Sequence, residues 1–323
     1  MLNRLVLPML ALFLLASCAK SDKLTLVEST GRINNLLIVL DNSDWDGPVG
    51  EELKQIIGQP LVGLPQEEDQ FSVNQVDPLA FNSLFKRSRN ILFVGLDTLR
   101  QFYTNQDVFA SPQTTLTILG EDRTDLIDNI REHQEEILDI FKKNDLILYQ
   151  NKITKDFHDP DKMETFNNLG LSLRIPLSYS RVEDNGEFLW YRNTFTRGLL
   201  NIIAYEVPMA PGAAFEVDSL VAYRDSIGKK FIPGQFDKTY MRTESNFQPV
   251  TRTVTLAGKE VIESRGLWYV EGDYMGGPFI SYTLLDKDYN RLLVVEGFSY
   301  SPGAKKRDFV FELEAILKTL QLK

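Results

Sequence analysis

The chain of 323 residues holds one cysteine, Cys18. No intramolecular disulfide is open to it, so packing alone must hold any fold together. Hydrophobic residues make up 43% and charged residues 25%, which supplies an ordinary globular core and argues against disorder. The 20 Phe and 12 Tyr favour a sheet-rich fold.

The placement of Cys18 carries the clearest functional signal. Arg4 gives the start a positive charge, and residues 5–17 form a run that is apolar up to its end. That run is 13 residues long, against about 20 for a membrane span, and fits the apolar core of a secretion signal. Leu15-Ala16-Ser17-Cys18 matches the lipobox, in which small residues admit the signal peptidase and the thiol takes the diacylglycerol. We therefore expect residues 1–17 to be a signal peptide, Cys18 to be the lipidated first residue of the mature chain, and residues 18–32 to be a tether. Ala19 rather than Asp follows Cys18, which favours the outer membrane. The membrane, reached through this lipid, is the first expected partner.

The formal net charge is −10, one unit more negative once Arg4 leaves with the signal. Such a surface repels phosphate backbones, so nucleic acid is not expected as a partner. Lys305-Lys306-Arg307 is the local exception and is read as the solvated start of a helix.

Beyond the tether the pattern is α+β in two mixed, sandwich-like parts, residues 33–165 and 166–323. In the first, short apolar runs at 36–40, 71–76, 90–94 and 114–119 predict strands. Helices are predicted over 49–57, 78–86 and, as one long helix or a helical hairpin, 121–155. In the second, strands are predicted at 171–175, 188–195, 199–207, 251–256, 260–264, 268–272, 279–285 and 291–300, giving a mostly antiparallel sheet with flanking helices. Ala257-Gly258 marks a hairpin turn. The helices there are 218–227, capped by Asp218, and 304–320.

Several of these features together resemble a known family. They are the lipobox, the run 36–40 with Asp41 and the Trp45, Gly47, Gly50 turn, Leu64-Pro65-Gln66-Glu67 before Phe71, Arg89-Asn90-Ile91-Leu92, and the tail around Glu312, Glu314, Ala315, Ile316, Leu317, Thr319 and Leu320. They are similar to Bacteroidota lipoproteins grouped as domain of unknown function 4837, over nearly the whole mature chain. The resemblance implies an envelope lipoprotein. It implies no activity, and no functional residue carries over. The second part is also similar, in order of elements alone, to the sandwich of photosystem II oxygen-evolving accessory proteins.

No motif for chemistry outweighs its plain structural reading. Asn42-x-Asp44-x-Asp46-Gly47 matches the opening of a calcium loop, but the first ligand is Asn and the twelfth position is Leu53, where a bidentate Glu is needed. Asn42, Asp44 and Asp46 are therefore read as a strand-to-helix turn, and neither a metal nor another cofactor is expected. With His133 and His158 alone, a His-rich zinc site is excluded on count. Glu271, Asp273 and Glu296 could form a hydrolytic pair if they converged. Of the aromatic pairs, Trp268-Tyr269 is the candidate ligand contact, through whichever member faces outward. The expectation is a non-enzymatic envelope lipoprotein that binds another envelope protein or a glycan. The alternative is a carboxylate-based envelope hydrolase, possibly acting on glycans.

Overall fold

The computed structural model describes residues 26–323 apart from 154, 197 and 211–215. The expected signal peptide, residues 1–17, and Cys18 lie outside the described residues.

The first part is built on a parallel sheet. The run expected at 36–40 folds as β1 (Asn35–Val39), buried on both faces as a central parallel strand should be. It pairs in parallel with β2 (Ser72–Val76) and β3 (Asn90–Leu96), and β3 pairs in parallel with β5 (Thr114–Gly120). A fifth strand, β4 (Gln101–Gln106), lies antiparallel to β5, giving the order β2-β1-β3-β5-β4. The sequence did not announce β4: it is polar and largely exposed, with no apolar stripe to betray it.

Alternation sends Leu36, Ile38, Leu92, Leu116 and Ile118 to one face, against α1 (Pro48–Ile57), α2 (Arg123–Glu132) and α3 (Gln134–Ile153). The expected long helix is thus a consecutive pair broken at His133. The other face, with Leu37, Val39 and Ile91, is covered by Phe81, Phe85 and Phe109. This corrects the helix expected at 78–86. The segment forms two short 3₁₀ turns, Pro78–Ala80 and Phe85–Arg87. Phe81 between them is extended, which brings its ring to 5.3 Å from Phe93.

The second part is an antiparallel sheet. Its strands are β6 (Ser180–Asp184), β7 (Phe188–Phe195), β8 (Gly198–Pro208), β9 (Tyr240–Thr243), β10 (Val250–Leu256), β11 (Lys259–Glu271), β12 (Gly276–Asp286) and β13 (Arg291–Tyr300). The order is β9-β11-β12-β13-β8-β7-β6, and β10 pairs with β11 at the same edge as β9. The strands expected at 260–264 and 268–272 are one strand, β11. Gly266 does not interrupt it; a side chain there would strike the Phe279 ring at 2.8 Å. Ala257 and Gly258 turn the β10–β11 hairpin with φ of 51° and 72°.

Both faces of this sheet are covered. Leu200, Ile202, Ile280, Tyr282 and Val295 meet α4 (Glu164–Leu169) and α6 (Arg307–Leu317). Ile203, Tyr205, Trp268, Phe279 and Phe298 face α5 (Leu220–Phe231). Three expected boundaries move. The 218–227 helix begins at Leu220 after a 3₁₀ turn that contains Asp218, which does not cap it. Of 171–175 only Leu171–Ser172 is strand, paired with Gln321–Leu322. The terminal helix starts late, because Pro302 and a left-handed Gly303 (φ 71°) precede it.

The two parts are joined closely. Tyr149 of α3 meets Phe311 of α6 edge-on at 6.0 Å. The Glu68 carboxylate accepts from the backbone N–H of Lys306 (2.6 Å) and Arg307 (3.2 Å), completing the start of α6 from the other part of the chain. The end of the expected tether is docked too, since Val27–Glu28 pairs with Ala110–Ser111.

Candidate functional site

Where α3 crosses the β10–β11 edge, the junction opens into a cleft of about 440 Å³. One wall is α3, with Asp139, Lys142, Lys143 and Leu146. The turn at 60–62 closes one end, and α6 contributes Phe311, Glu314 and Lys318. A second hollow of about 280 Å³ shares Leu146, Arg252, Glu263 and Lys318 and runs on toward Tyr282.

Strand geometry assembles the floor. Glu263 and Arg265 are two apart on β11 and so share a face. Arg252 of β10 and Tyr282 of β12 are the register partners of Glu263 on either side. Glu314 and Lys318, four apart, lie one above the other along α6 and the turn that ends it. The result is a linked chain of charges. Arg252 donates to Glu263 at 2.9 and 3.2 Å, and Tyr282 Oη donates to it at 3.1 Å. Arg265 donates through Nε to Glu263 and through Nη2 to Glu314, each at 2.7 Å. Lys318 reaches Glu314 at 2.6 Å.

Burial works to raise both carboxyls, but the cations outweigh it. Arg265 and Arg252 leave Glu263 lowered, and Arg265 with Lys318 hold Glu314 well below the usual carboxylate range. Neither carries a proton at neutral pH, so neither offers the protonated acid that glycoside hydrolysis requires. Lys142 is shifted the other way: burial lowers its pKa, opposed by Glu314.

On the opposite face of the sheet lies a second buried pair. Arg224 of α5 grips Glu296 of β13 through Nε (2.9 and 3.1 Å) and Nη2 (2.7 Å). Its Nη1 donates to Thr243 at 3.0 Å, and its guanidinium lies 4.0 Å over the Phe279 ring. Burial raises the Glu296 carboxyl and Arg224 opposes it. The cavity beside this pair measures only about 60 Å³.

The residues singled out from sequence do not converge. Trp268 is 4% exposed and packs edge-on to Phe298, its Nε1 donating to the Ser299 carbonyl at 3.2 Å. Tyr269 is the outward member, and its hydroxyl donates to Glu271 at 3.0 Å. In the calcium-like string, Asp44 accepts from Arg123 Nε and Asn42 Oδ1 accepts from Gln75 at 3.1 Å, in a helical turn capped by Asp41. Among the described residues no group of three or more His, Cys, Asp or Glu is gathered as a metal site. Glu271 pairs with Arg242 at the edge of the sheet, away from buried Glu296. His133 stacks on Phe102 at 3.9 Å, and His158 Nε2 lies 2.6 Å from the Tyr179 carbonyl oxygen. Arg307 opens α6 as expected but is not solvated: it donates to the Asp69 carbonyl and to Ser72 Oγ.

Sequence reasoning passed over the cleft. A signal was available in Val261-x-Glu263-x-Arg265, two charges continuing the buried face of a strand.

Residues 159–319 match the model of a family described as a domain of unknown function, DUF4837. Residues 29–154 match a second, DUF8532, described in the same words. The DUF4837 match is narrower than the resemblance implied, since the cues from Leu36 to Leu92 fall in the DUF8532 segment and the lipobox falls in neither. The cleft takes Asn34 to Leu146 from the DUF8532 segment and Val250 to Lys318 from the DUF4837 segment. No curated protein matches the chain. Among solved structures, the crystal structure of LpqN, involved in cell envelope biogenesis of Mycobacterium tuberculosis, is similar at 10% identity and a TM-score of 0.30. That similarity covers 47% of this chain and 83% of LpqN.

Proposed function

We propose that this is a lipid-anchored cell-envelope protein that acts by binding, with the cleft between its two parts as the site. The cleft carries this reading: its volume lies in the range of ligand pockets, roughly 300–1,000 Å³, and it sits at a junction of two parts, where such pockets concentrate. The carboxylates of its floor, Glu263 and Glu314, are committed to arginine and lysine, which suits recognition better than proton transfer. The lipobox ending at Cys18 supports anchoring, and Ala19 supports the outer membrane. Trp268 serves the core in this reading, and Tyr269 stays available at the surface as a contact for a partner.

The test is affinity purification of the full-length chain from crosslinked native membranes, beside Cys18→Ala and a cleft-filling Leu146→Trp. A stoichiometric envelope partner, protein or glycan, should be recovered with the natural chain and lost with both variants. Equal recovery with Leu146→Trp would place binding elsewhere, and equal recovery with Cys18→Ala would remove the anchor from the account.

A further inference from the structure

Resting on the cleft as the binding site, we propose that it takes an anionic group, phosphate or carboxylate, borne by a hydroxylated ligand such as a sugar. Arg265 and Lys142 hold the anion, and Gln70 accepts a hydrogen bond from the ligand.

The floor is saturated in acceptors and unsaturated in donors. Glu263 already accepts from Arg252, Arg265 and Tyr282, and Glu314 from Arg265 and Lys318. A cation entering the cleft would find these carboxylates taken. Arg265 is only 7% exposed, and while its Nε and Nη2 are engaged, its Nη1 is buried with no partner. A guanidinium presents a fixed fork of donors that matches phosphate and carboxylate oxygens, so an unpartnered Nη1 on an arginine that lines a cleft leaves a donor for an anion to claim. Lys142 lines the same cleft and has no ion-pair partner among the described residues, although burial disfavours its charge. Ordinary design would bury neither group this way without something to pair with it.

The overall field agrees. Lys142, Lys143, Arg252, Arg265, Arg307 and Lys318 line the cleft against Asp139, Glu263 and Glu314, a local excess of cations in a chain of net charge −10. An isolated positive concavity on an acidic protein focuses small anions while the rest of the surface repels polyanions. Gln70 adds the second half of the inference. Its Oε1 is buried without a donor, on a residue that lines the same cleft. An anion without a proton, such as sulfate, has nothing to give it; a hydroxyl beside the anionic group does.

The test uses the full-length chain in detergent, titrated calorimetrically with glucose 6-phosphate, glucuronate, glucose and sulfate. At least one of glucose 6-phosphate and glucuronate should bind, more weakly as salt rises, and glucose should not. Binding of glucose 6-phosphate alone identifies a phosphoryl ligand, and binding of glucuronate alone a carboxylate. Lys142→Gln should weaken the sugar anion about tenfold or more while leaving the melting temperature unchanged or raised, because it removes a desolvated, unpaired cation. Gln70→Leu should weaken the sugar anion but leave sulfate unchanged. The inference falls if a cooperatively melting protein takes neither sugar anion at millimolar concentration, if Lys142→Gln binds as tightly as the natural chain, or if glucose competes equally. Should Leu146→Trp still abolish capture of an envelope partner in that event, the cleft stands as a binding site for a neutral ligand and only its anionic character is refuted.

Discussion

The two faces of the second sheet each bury a glutamate against an arginine, with different results. Toward α5, Arg224 and Glu296 are joined by a bidentate grip, the remaining guanidinium nitrogen is taken by Thr243, and about 60 Å³ is left beside them. Toward α3 and α6, Glu263 and Glu314 share Arg265, one of its nitrogens is left over, and about 440 Å³ opens above it. The first arrangement is a closed account of donors and acceptors, and it pins α5 to the sheet. The second is open on the donor side and has room. Buried charge alone does not separate the two faces; an arginine nitrogen left without a partner, on the side with the roomier cavity, does.

The sharpest way to break the comparison is to remove Arg224. With Glu296 fully buried, Arg224→Leu should lower the unfolding free energy by about 3–5 kcal/mol in urea titrations, and Arg224→Leu with Glu296→Leu should recover most of it. If the single variant is harmless, the pair is not the pin described here.

A smaller effect separates the two helices. A Cβ at Gly228 of α5 would lie 2.2 Å from the Met241 carbonyl oxygen, a backbone atom that cannot swing away. A Cβ at Gly297, under α6, would meet the Leu313 side chain at 2.8 Å. Gly228→Ala should therefore approach the upper end of overpacking costs, about 3 kcal/mol, and Gly297→Ala the lower end, about 1 kcal/mol. Thermal denaturation of the two variants side by side would decide the order.

The subtlest contrast lies in pH. Glu314, facing Arg265 and Lys318, is lowered from 4.5; its stabilisation is complete above that value and is lost as pH falls through the folded one. Glu296, facing Arg224 and Asp225, is raised from 4.5; its contribution is complete below that value and is lost as pH rises through the folded one. Glu314→Gln should thus cost more near pH 7 than near pH 4, and Glu296→Gln more near pH 4 than near pH 7. Urea midpoints at the two pH values read both signs, and parallel behaviour would contradict the assignment.

Much of this frame was legible in the residues. Apolar runs such as those at β1, β7 and β13 announce strands because a strand covered on both faces buries nearly every side chain. The edge strands β4 and β6 bury little and left no such mark. The segment 78–86, expected as a helix, exposes Leu79 and Leu84 and packs through its phenylalanines instead. The cleft was hidden for a different reason. Its parts run from Asn34 to Lys318, and their meeting depends on strand register and on how α3 lies across α6, neither of which any local window records. Trp268 attracted notice as an aromatic, but its partner Phe298 lies 30 positions away and turns it into core.

The cap that Glu68 places on α6 also sets an order of events during synthesis. Helix α6 leaves the ribosome after the other described helices, and the carboxylate that completes its start lies 238 positions upstream of Lys306. The first part can fold long before and wait with that carboxylate in place. Helix α6 then arrives at a prepared socket and brings Glu314 and Lys318 with it, so the cleft exists only once both segments have been made.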